Sequence, residues 1–320
     1  MTISWNSIPS GTDLIEMAAG FTRVMDPRPT VVSIPENASV LYVGDLHGNY
    51  KCLEEAMTIA EVKGVDAIVF LGDYVDRGPK QIETFLTVMD LSLHDEKVII
   101  PIRGNHEERE MTSRYGFQRE LQKHYRNQFE LVLESVNSMY EYLPLAAVKQ
   151  GSGSLAVHAG IPVNPDFGLI KAIPKPHSDL SAVSSKYSAN DLAAAFEQIR
   201  WNDPQTWQFS FPEAETLMKS AVNKMFFPSP RGFGIFLFNE KALEGYLAEN
   251  GFSRLIRSHE SIRGAFENPW DGKLLHVFSA YPYESSVKEG RFLFERAWTS
   301  EEPAIEVLNP SGEVLEIIAI

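Results

Sequence analysis

Short, uniformly apolar runs recur along the first half of the chain, and each ends in a cluster of Gly, Asp, Asn or His. Val40-Leu41-Tyr42-Val43 leads into Gly44-Asp45-Leu46-His47-Gly48-Asn49, and Val69-Phe70-Leu71 into Gly72-Asp73-Tyr74-Val75-Asp76-Arg77-Gly78. Val98-Ile99-Ile100-Pro101-Ile102 leads into Arg103-Gly104-Asn105-His106-Glu107, and Leu155-Ala156-Val157 into His158-Ala159-Gly160. Runs of this kind predict buried strands. Between them the apolar spacing becomes helical, over 50–62, 81–92 and a short piece from Glu107. The alternation predicts parallel strands joined by right-handed crossovers, with ligands at the carboxyl ends of the strands. The expectation is one site assembled from serial strand-end loops.

The flanking pattern is more varied. Leu14, Ile15, Met17, Ala18, Phe21 and Val24 predict a helix over 12–25, ended by Asp26-Pro27-Arg28-Pro29. A long helix is expected over 117–140, then strands over 145–148 and 154–157 around Gly151-Ser152-Gly153. The Pro-rich stretch 161–187 reads as irregular surface. Helices over 192–199 and 241–249 and strands over 254–257, 274–278, 305–308 and 314–318 complete the pattern. The later strands suggest a second sheet packed on the first. No linker or low-complexity tract divides the chain, so one domain is expected over 1–320: a helical segment 1–37, a motif-bearing core 38–283 and C-terminal strands 284–320.

Composition narrows the function. A hydrophobic content of 44% and a charged content of 22% are those of a water-soluble globular chain with a sizeable core. A formal charge of −14 disfavours nonspecific nucleic-acid binding, although a local site potential can still favour an anionic substrate. The single cysteine, Cys52, excludes an intramolecular disulfide and a thiolate metal cluster, and is expected to face the core. Neither a signal peptide nor a bilayer-spanning run is evident, which points to a cytoplasmic protein without membrane contact.

Asp45, His47, Asp73, Asn105, His158 and His259 are oxygen and imidazole ligands, a set suited to Mn²⁺, Fe or Zn²⁺. Six exceed the needs of one tetrahedral ion but suit two ions sharing a carboxylate, with Asp73 the natural bridge. Two such ions clamp the attacking and leaving oxygens of a phosphoryl displacement and acidify bound water. Arg77 and Arg231 can each offer a planar fork to phosphate oxygens. His106 is placed to protonate the leaving oxygen, and Asp76 to orient it. Taken singly, each of these residues has an ordinary structural reading, such as a turn asparagine, a core histidine, a surface arginine or a helix-capping aspartate. Their serial placement at strand ends favours a metal site. His94, His124, His177 and His276 lack that setting, and Phe226, Phe227, Phe236 and Phe238 read as core.

The signatures GDLHG (44–48), GDYVDRG (72–78) and RGNHE (103–107) resemble those of the PPP family of metal-dependent serine/threonine protein phosphatases. The likeness continues through RYGF (114–117), LPLAA (143–147), HAG (158–160), WNDP (201–204), SPRGFG (229–234), LIRSHE (255–260) and FSAYPY (278–283). The resemblance implies an α/β fold, a central two-sheet β-sandwich flanked by helices of the metallophosphoesterase (calcineurin-like) type. It implies one metal on Asp45, His47 and Asp73, and a second on Asp73, Asn105, His158 and His259. His106 and Asp76 match the family's acid pair, Arg77 and Arg231 its phosphate-binding arginines, and Tyr283 a tyrosine over the site.

Three positions depart from the family pattern. Ala159 replaces the usual Gly, Glu260 places an extra carboxylate beside His259 in Arg257-Ser258-His259-Glu260, and Glu284 stands where a Cys is common. The implied function is hydrolysis of phosphoserine and phosphothreonine in a phosphoprotein substrate by direct attack of hydroxide supplied by two divalent metals, Mn²⁺ foremost. The rival readings are a small-molecule phosphoesterase, such as a dinucleoside polyphosphate hydrolase, and a catalytically silent phosphoprotein-binding module. The sequence does not indicate regulatory subunits.

Overall fold

The structure, a computed structural model, describes residues 8–94, 97–180, 186–206, 222, 224–283, 287–298 and 304–319. The first three motif-bearing runs form the parallel strands β2 (Val40–Val43), β3 (Ala67–Phe70) and β4 (Val98–Pro101). Val43 pairs with Phe70 and Phe70 with Pro101, so the three loops leave the sheet at one level. Antiparallel β13 (Phe292–Glu295), β14 (Ala304–Leu308) and β15 (Val314–Ala319) extend this sheet beyond β2.

The second sheet runs β1 (Val31–Ile34), β5 (Ala146–Lys149), β6 (Ser154–Val157), β10 (Arg254–Arg257), β12 (Leu274–Val277) and β11 (Phe266–Glu267). Its parallel strands β6, β10 and β12 deliver the loops that carry His158, His259 and Tyr283.

Side-chain alternation explains why the strands read as continuous apolar runs. Val40, Tyr42, Val69 and Ile100 point into the layer between the sheets, where they meet Ala147, Ala156, Ile256 and Leu275. Leu41, Val43, Ile68, Phe70 and Ile99 point outward into a second core with the helices Gly11–Met25, Tyr50–Lys63 and Gln81–His94. The other sheet's outer face packs against the helices Ala189–Trp201 and Glu240–Asn250. Strands β2, β3, β6 and β10 are buried on both faces, whereas the edge strand β15 is largely exposed, so the loops that leave the middle of the sandwich are firmly held. Cys52 is buried in the helix-side core, as expected. Among the described residues, no helix is long and apolar enough to cross a membrane.

Several sequence expectations are corrected. The single helix over 117–140 is two helices, Phe117–Tyr125 and Phe129–Tyr140, joined by a 3₁₀ turn at Arg126–Gln128 where Arg126 has φ +41°. The positive φ at Arg126 breaks the helical path although the apolar period runs on. The stretch 161–187 is not surface alone: Ile161, Phe167, Leu169, Ile170, Ile173 and His177 are buried. Strands β1 and β13 and the small sheet of β7 (Asp203–Pro204), β8 (Phe226–Pro228) and β9 (Phe236–Phe238) were not anticipated. Phe226, Phe227 and Phe238 are buried and Phe236 packs partly buried against the same core. Glu284 and the side chain of His94 lie outside the described residues.

Candidate active site

Asp45, His47, Asp73, Asn105, His106, His158 and His259 converge, buried, at the carboxyl ends of β2, β3, β4, β6 and β10. The loops are tight. His47, Asp73, Asp76, Arg77 and His259 all have positive φ, at 43°, 56°, 68°, 74° and 79°. Five such non-glycine residues in one place mark a backbone held in a costly shape by its surroundings. Glycine is required beside them. A Cβ on Gly104 would collide with Asp73 Oδ1, and one on Gly72, itself at φ +107°, would stand 2.6 Å from the Gly104 nitrogen.

The donors form two groups joined by Asp73. On one side His47 Nε2 lies 3.7 Å from Asp45 Oδ2 and 3.7 Å from Asp73 Oδ2. On the other, His158 Nε2 lies 3.4 Å from Asp73 Oδ1, 2.9 Å from Asn105 Oδ1 and 3.1 Å from His259 Nδ1. Asn105 Oδ1 is also 2.9 Å from His259 Nδ1.

The outer bonds settle which ring nitrogens face inward. Carbonyls only accept, so His47 Nδ1 donates to Val75 (2.9 Å) and His158 Nδ1 to Leu71 (2.7 Å), which turns each Nε2 lone pair toward the centre. Among the described residues, neither Asp45 Oδ2 nor His259 Nε2 has a hydrogen-bond partner, and both are buried. Turned over, the Asn105 amide would donate to both ring nitrogens and to Asp73. With its oxygen inward, carbonyl, carboxylate and imidazole lone pairs face one another, an arrangement that a cation at their centre satisfies. The donor set, borderline imidazole and hard oxygen, fits divalent Mn, Fe or Zn.

Electrostatics agree with this fit. Burial pushes the Asp45 carboxyl up to about 6, and burial with the charges of Asp45 and Glu107 holds Asp73 well above the carboxylate range. Burial also holds His47, His158 and His259 well below the usual imidazole value, so they are neutral at physiological pH, the form in which imidazole can ligate a metal. In metal-free protein the Asp45 penalty is absent below its unfolded value of 3.8 and complete above about 6. The neutral histidines cost the same with or without metal. The gap between thermal midpoints measured with divalent metal and with chelator is therefore expected to widen as pH rises from about 4 to about 6. A pH-independent gap would contradict the assignment.

Beside the two groups, His106 Nδ1 and Asp76 Oδ2 are 2.7 Å apart, and His106 Nε2 points inward, 3.9 Å from Asp73 Oδ2. Burial raises Asp76 to about 7. Burial, then the charges of Arg77 and Arg231, lowers His106 to about 3. Both shifts disfavour charge, so without substrate the pair is held toward its uncharged form.

A cleft of about 460 Å³ opens over this centre, with Arg77, Tyr115, Trp201, Arg231, Glu260 and Tyr283 among its lining residues. Arg77 stacks on Tyr115, its guanidinium 4.3 Å from the ring, and Tyr283 stacks on His47 at 5.2 Å. Of the eleven site residues named from the sequence, His47, Arg77, Asn105, His106, Arg231, His259 and Tyr283 line the cleft, and Asp45, Asp73, Asp76 and His158 lie buried against them.

Sequence reasoning gave no role to three residues within the quoted motifs. Glu107 accepts the amides of Asp73 (2.8 Å), Tyr74 (2.8 Å) and Gly104 (2.9 Å), tying two motif loops together. Asp203 of WNDP bonds Arg231 and Arg257, and Arg257 is fully buried. Of the histidines set aside, His177 meets Arg103 (2.9 Å) and His276 meets Arg257 (3.3 Å), both as buried supports.

Residues 38–263 match the model of the calcineurin-like phosphoesterases. The chain belongs to that family. Over 250 residues it is 30% identical to the serine/threonine-protein phosphatase 4 catalytic subunit of Kluyveromyces lactis, covering 76% of this metallophosphoesterase and 70% of that subunit. It is 31% identical to the PP2A-like serine/threonine-protein phosphatase PPG1 of Candida albicans, covering 80% of this chain and 54% of that one. The metallophosphoesterase thus spans about half the length of that relative. A solved serine/threonine phosphatase from Saccharomyces cerevisiae, described as similar to human phosphatase PP5, superposes with a TM-score of 0.70 at 22% identity, over 95% of this chain and 94% of that one. At that identity the likeness establishes the fold, the two-sheet sandwich expected from the motifs. The family uses a dinuclear metal site, and two clusters able to hold metal, His47-Asp73-His106 and Asp73-His158-His259, share Asp73 here.

Proposed function

We propose that this metallophosphoesterase hydrolyses phosphoserine and phosphothreonine monoesters in proteins. One observation carries the reading: two donor groups joined by Asp73 lie beneath a cleft that also holds a His106–Asp76 pair and two arginines. Asp45, His47 and Asp73 would hold one divalent ion, and Asp73, Asn105, His158 and His259 the other. When bound, the metal pair supplies Lewis acidity, which neutralises phosphate charge and lets water ionise near neutral pH.

The chain's own residues do the rest. Arg77 and Arg231 bind the non-bridging phosphate oxygens, and stacking on Tyr115 keeps the Arg77 fork aimed. His106 gives a proton from Nε2 to the departing side-chain oxygen while Asp76 accepts its Nδ1–H. Substrate itself prepares this acid. The arginines that depress His106 become paired with phosphate, so protonation of the imidazole becomes easier only when the cleft is filled. Tyr283, lying flat on His47, walls the cleft and fixes that ring.

A panel of phosphoserine and phosphothreonine peptides set against a dinucleoside tetraphosphate tests the substrate class. Peptide turnover with a kcat/KM at least about tenfold above that for the dinucleotide is expected, a difference of about 1.4 kcal/mol. The reverse preference would establish a small-molecule phosphoesterase. Metal-loaded protein that binds the peptides but never turns them over would establish a silent binding module.

A further inference from the structure

Behind the phosphate-facing side of the cleft, four side chains form a ring of alternating charge. Arg231 Nε donates to Asp203 Oδ2 (2.5 Å), and Arg257 Nη2 donates to Asp203 Oδ1 (2.8 Å). Arg257 Nη1 donates to Glu260 Oε2 (2.6 Å), and Glu260 Oε1 closes the ring 3.9 Å from Arg231 Nη2. Arg257 is fully buried and pinned through Nε to the Ala159 carbonyl (2.6 Å). His276 Nε2 meets the Glu260 carbonyl (3.1 Å), so the Glu260 backbone is held as well. Arg231 and Glu260 are the ring's exposed members, each with 32% of its side chain accessible, and both line the cleft.

The two carboxylates act differently on Arg231. Asp203 touches it and orients it. Glu260 lies beyond hydrogen-bonding distance, so it lowers the positive potential at the guanidinium without immobilising it. A phosphate group reaching Arg231 meets a guanidinium whose charge Glu260 already partly offsets.

We infer that Glu260 is a positioning residue that acts through Arg231 to weaken the grip of the cleft on phosphate, sparing the enzyme from retention of its inorganic phosphate product. The inference rests on the phosphate-binding role given to Arg231 above. Its sequence position supports it, because Glu260 is the extra carboxylate beside His259.

Glu260→Gln removes the charge and keeps the shape. In the Mn²⁺-loaded protein, inorganic phosphate should bind about 3–5-fold more tightly, the size expected of a partly exposed charge, both as a competitive inhibitor and by titration calorimetry. KM for a phosphopeptide should fall by a similar factor, with kcat unchanged or lower, and Glu260→Asp should return both values toward wild type. In an Arg231→Ala background, Glu260→Gln should change neither.

Unchanged or weaker phosphate binding in Glu260→Gln would overturn the inference, as would the same shift without Arg231. Should Glu260→Gln lose metal or fail to fold, Ser261→Asp carries the test with opposite sign, since Ser261 lines the same rim. An added carboxylate there should weaken phosphate binding, and no change would overturn the inference. Arg231→Ala with unaltered phosphopeptide KM would overturn the parent reading of Arg231 as well, which separates the two failures.

Discussion

Replacing His106 with Asn lowers kcat toward phosphopeptides about 10²–10⁴-fold, the usual worth of a positioned general acid, and leaves the bound metal in place. Both parts of the expectation follow from geometry. His106 bonds Asp76 through Nδ1 and presents Nε2 to the cleft, where it can reach a leaving oxygen. Its Nε2 also lies near His47 and Asp73, so a metal-ligand role for His106 is the competing reading. The split result separates them. Lost activity with full metal content identifies an acid, whereas lost metal identifies a ligand. Aryl phosphates with acidic leaving groups should be impaired far less, because their leaving oxygen needs little protonation. Unchanged turnover of phosphopeptides would remove His106 from the mechanism.

Replacing Asp73 with Asn has the larger effect, because it strikes both donor groups at once. Asp73 Oδ2 faces His47 and Oδ1 faces His158, while Oδ1 also accepts the His106 amide (2.9 Å). An amide offers one weak acceptor in place of two charged ones and points N–H groups at neutral imidazoles. Loss of metal is expected. With it goes Lewis-acid stabilisation of several kcal/mol, so at about 1.4 kcal/mol per factor of ten kcat/KM should fall about 10³-fold or more. The fold should survive, since the charged carboxylate is already costly where it stands: burial and the neighbouring Asp45 and Glu107 charges raise its pKa well above the carboxylate range without a cation.

Much of this was legible in the sequence. Strands β2, β3 and β4 are almost wholly buried, so they appeared as unbroken apolar runs with the site motifs close behind each, whereas β10 begins and ends in arginine. Strand β13 was less visible because it ends in Glu295. That carboxylate is fully buried, and Tyr42 (2.6 Å), Ser154 (3.1 Å) and Lys149 (3.6 Å) satisfy it from three other strands. Partners so far apart in sequence leave no local pattern. The stretch 161–187 misled through its prolines, which signal turns but not which way the intervening Leu169, Ile170 and Ile173 face. Within the site, the residues proposed to meet substrate or metal carry motif signals and could be named, whereas Glu107, Asp203 and Arg257 could not. They act by holding other groups, and that role exists only once the loops meet.

The most direct test counts metal by elemental analysis in wild-type and Asp73→Asn protein while phosphopeptide hydrolysis is followed with Mn²⁺ and with chelator. Two adjoining donor groups predict about two ions per wild-type chain, activity that chelator abolishes and Mn²⁺ restores, and neither metal nor turnover in Asp73→Asn. Full metal occupancy in Asp73→Asn, or undiminished hydrolysis by metal-free wild-type protein, would contradict the shared-carboxylate centre.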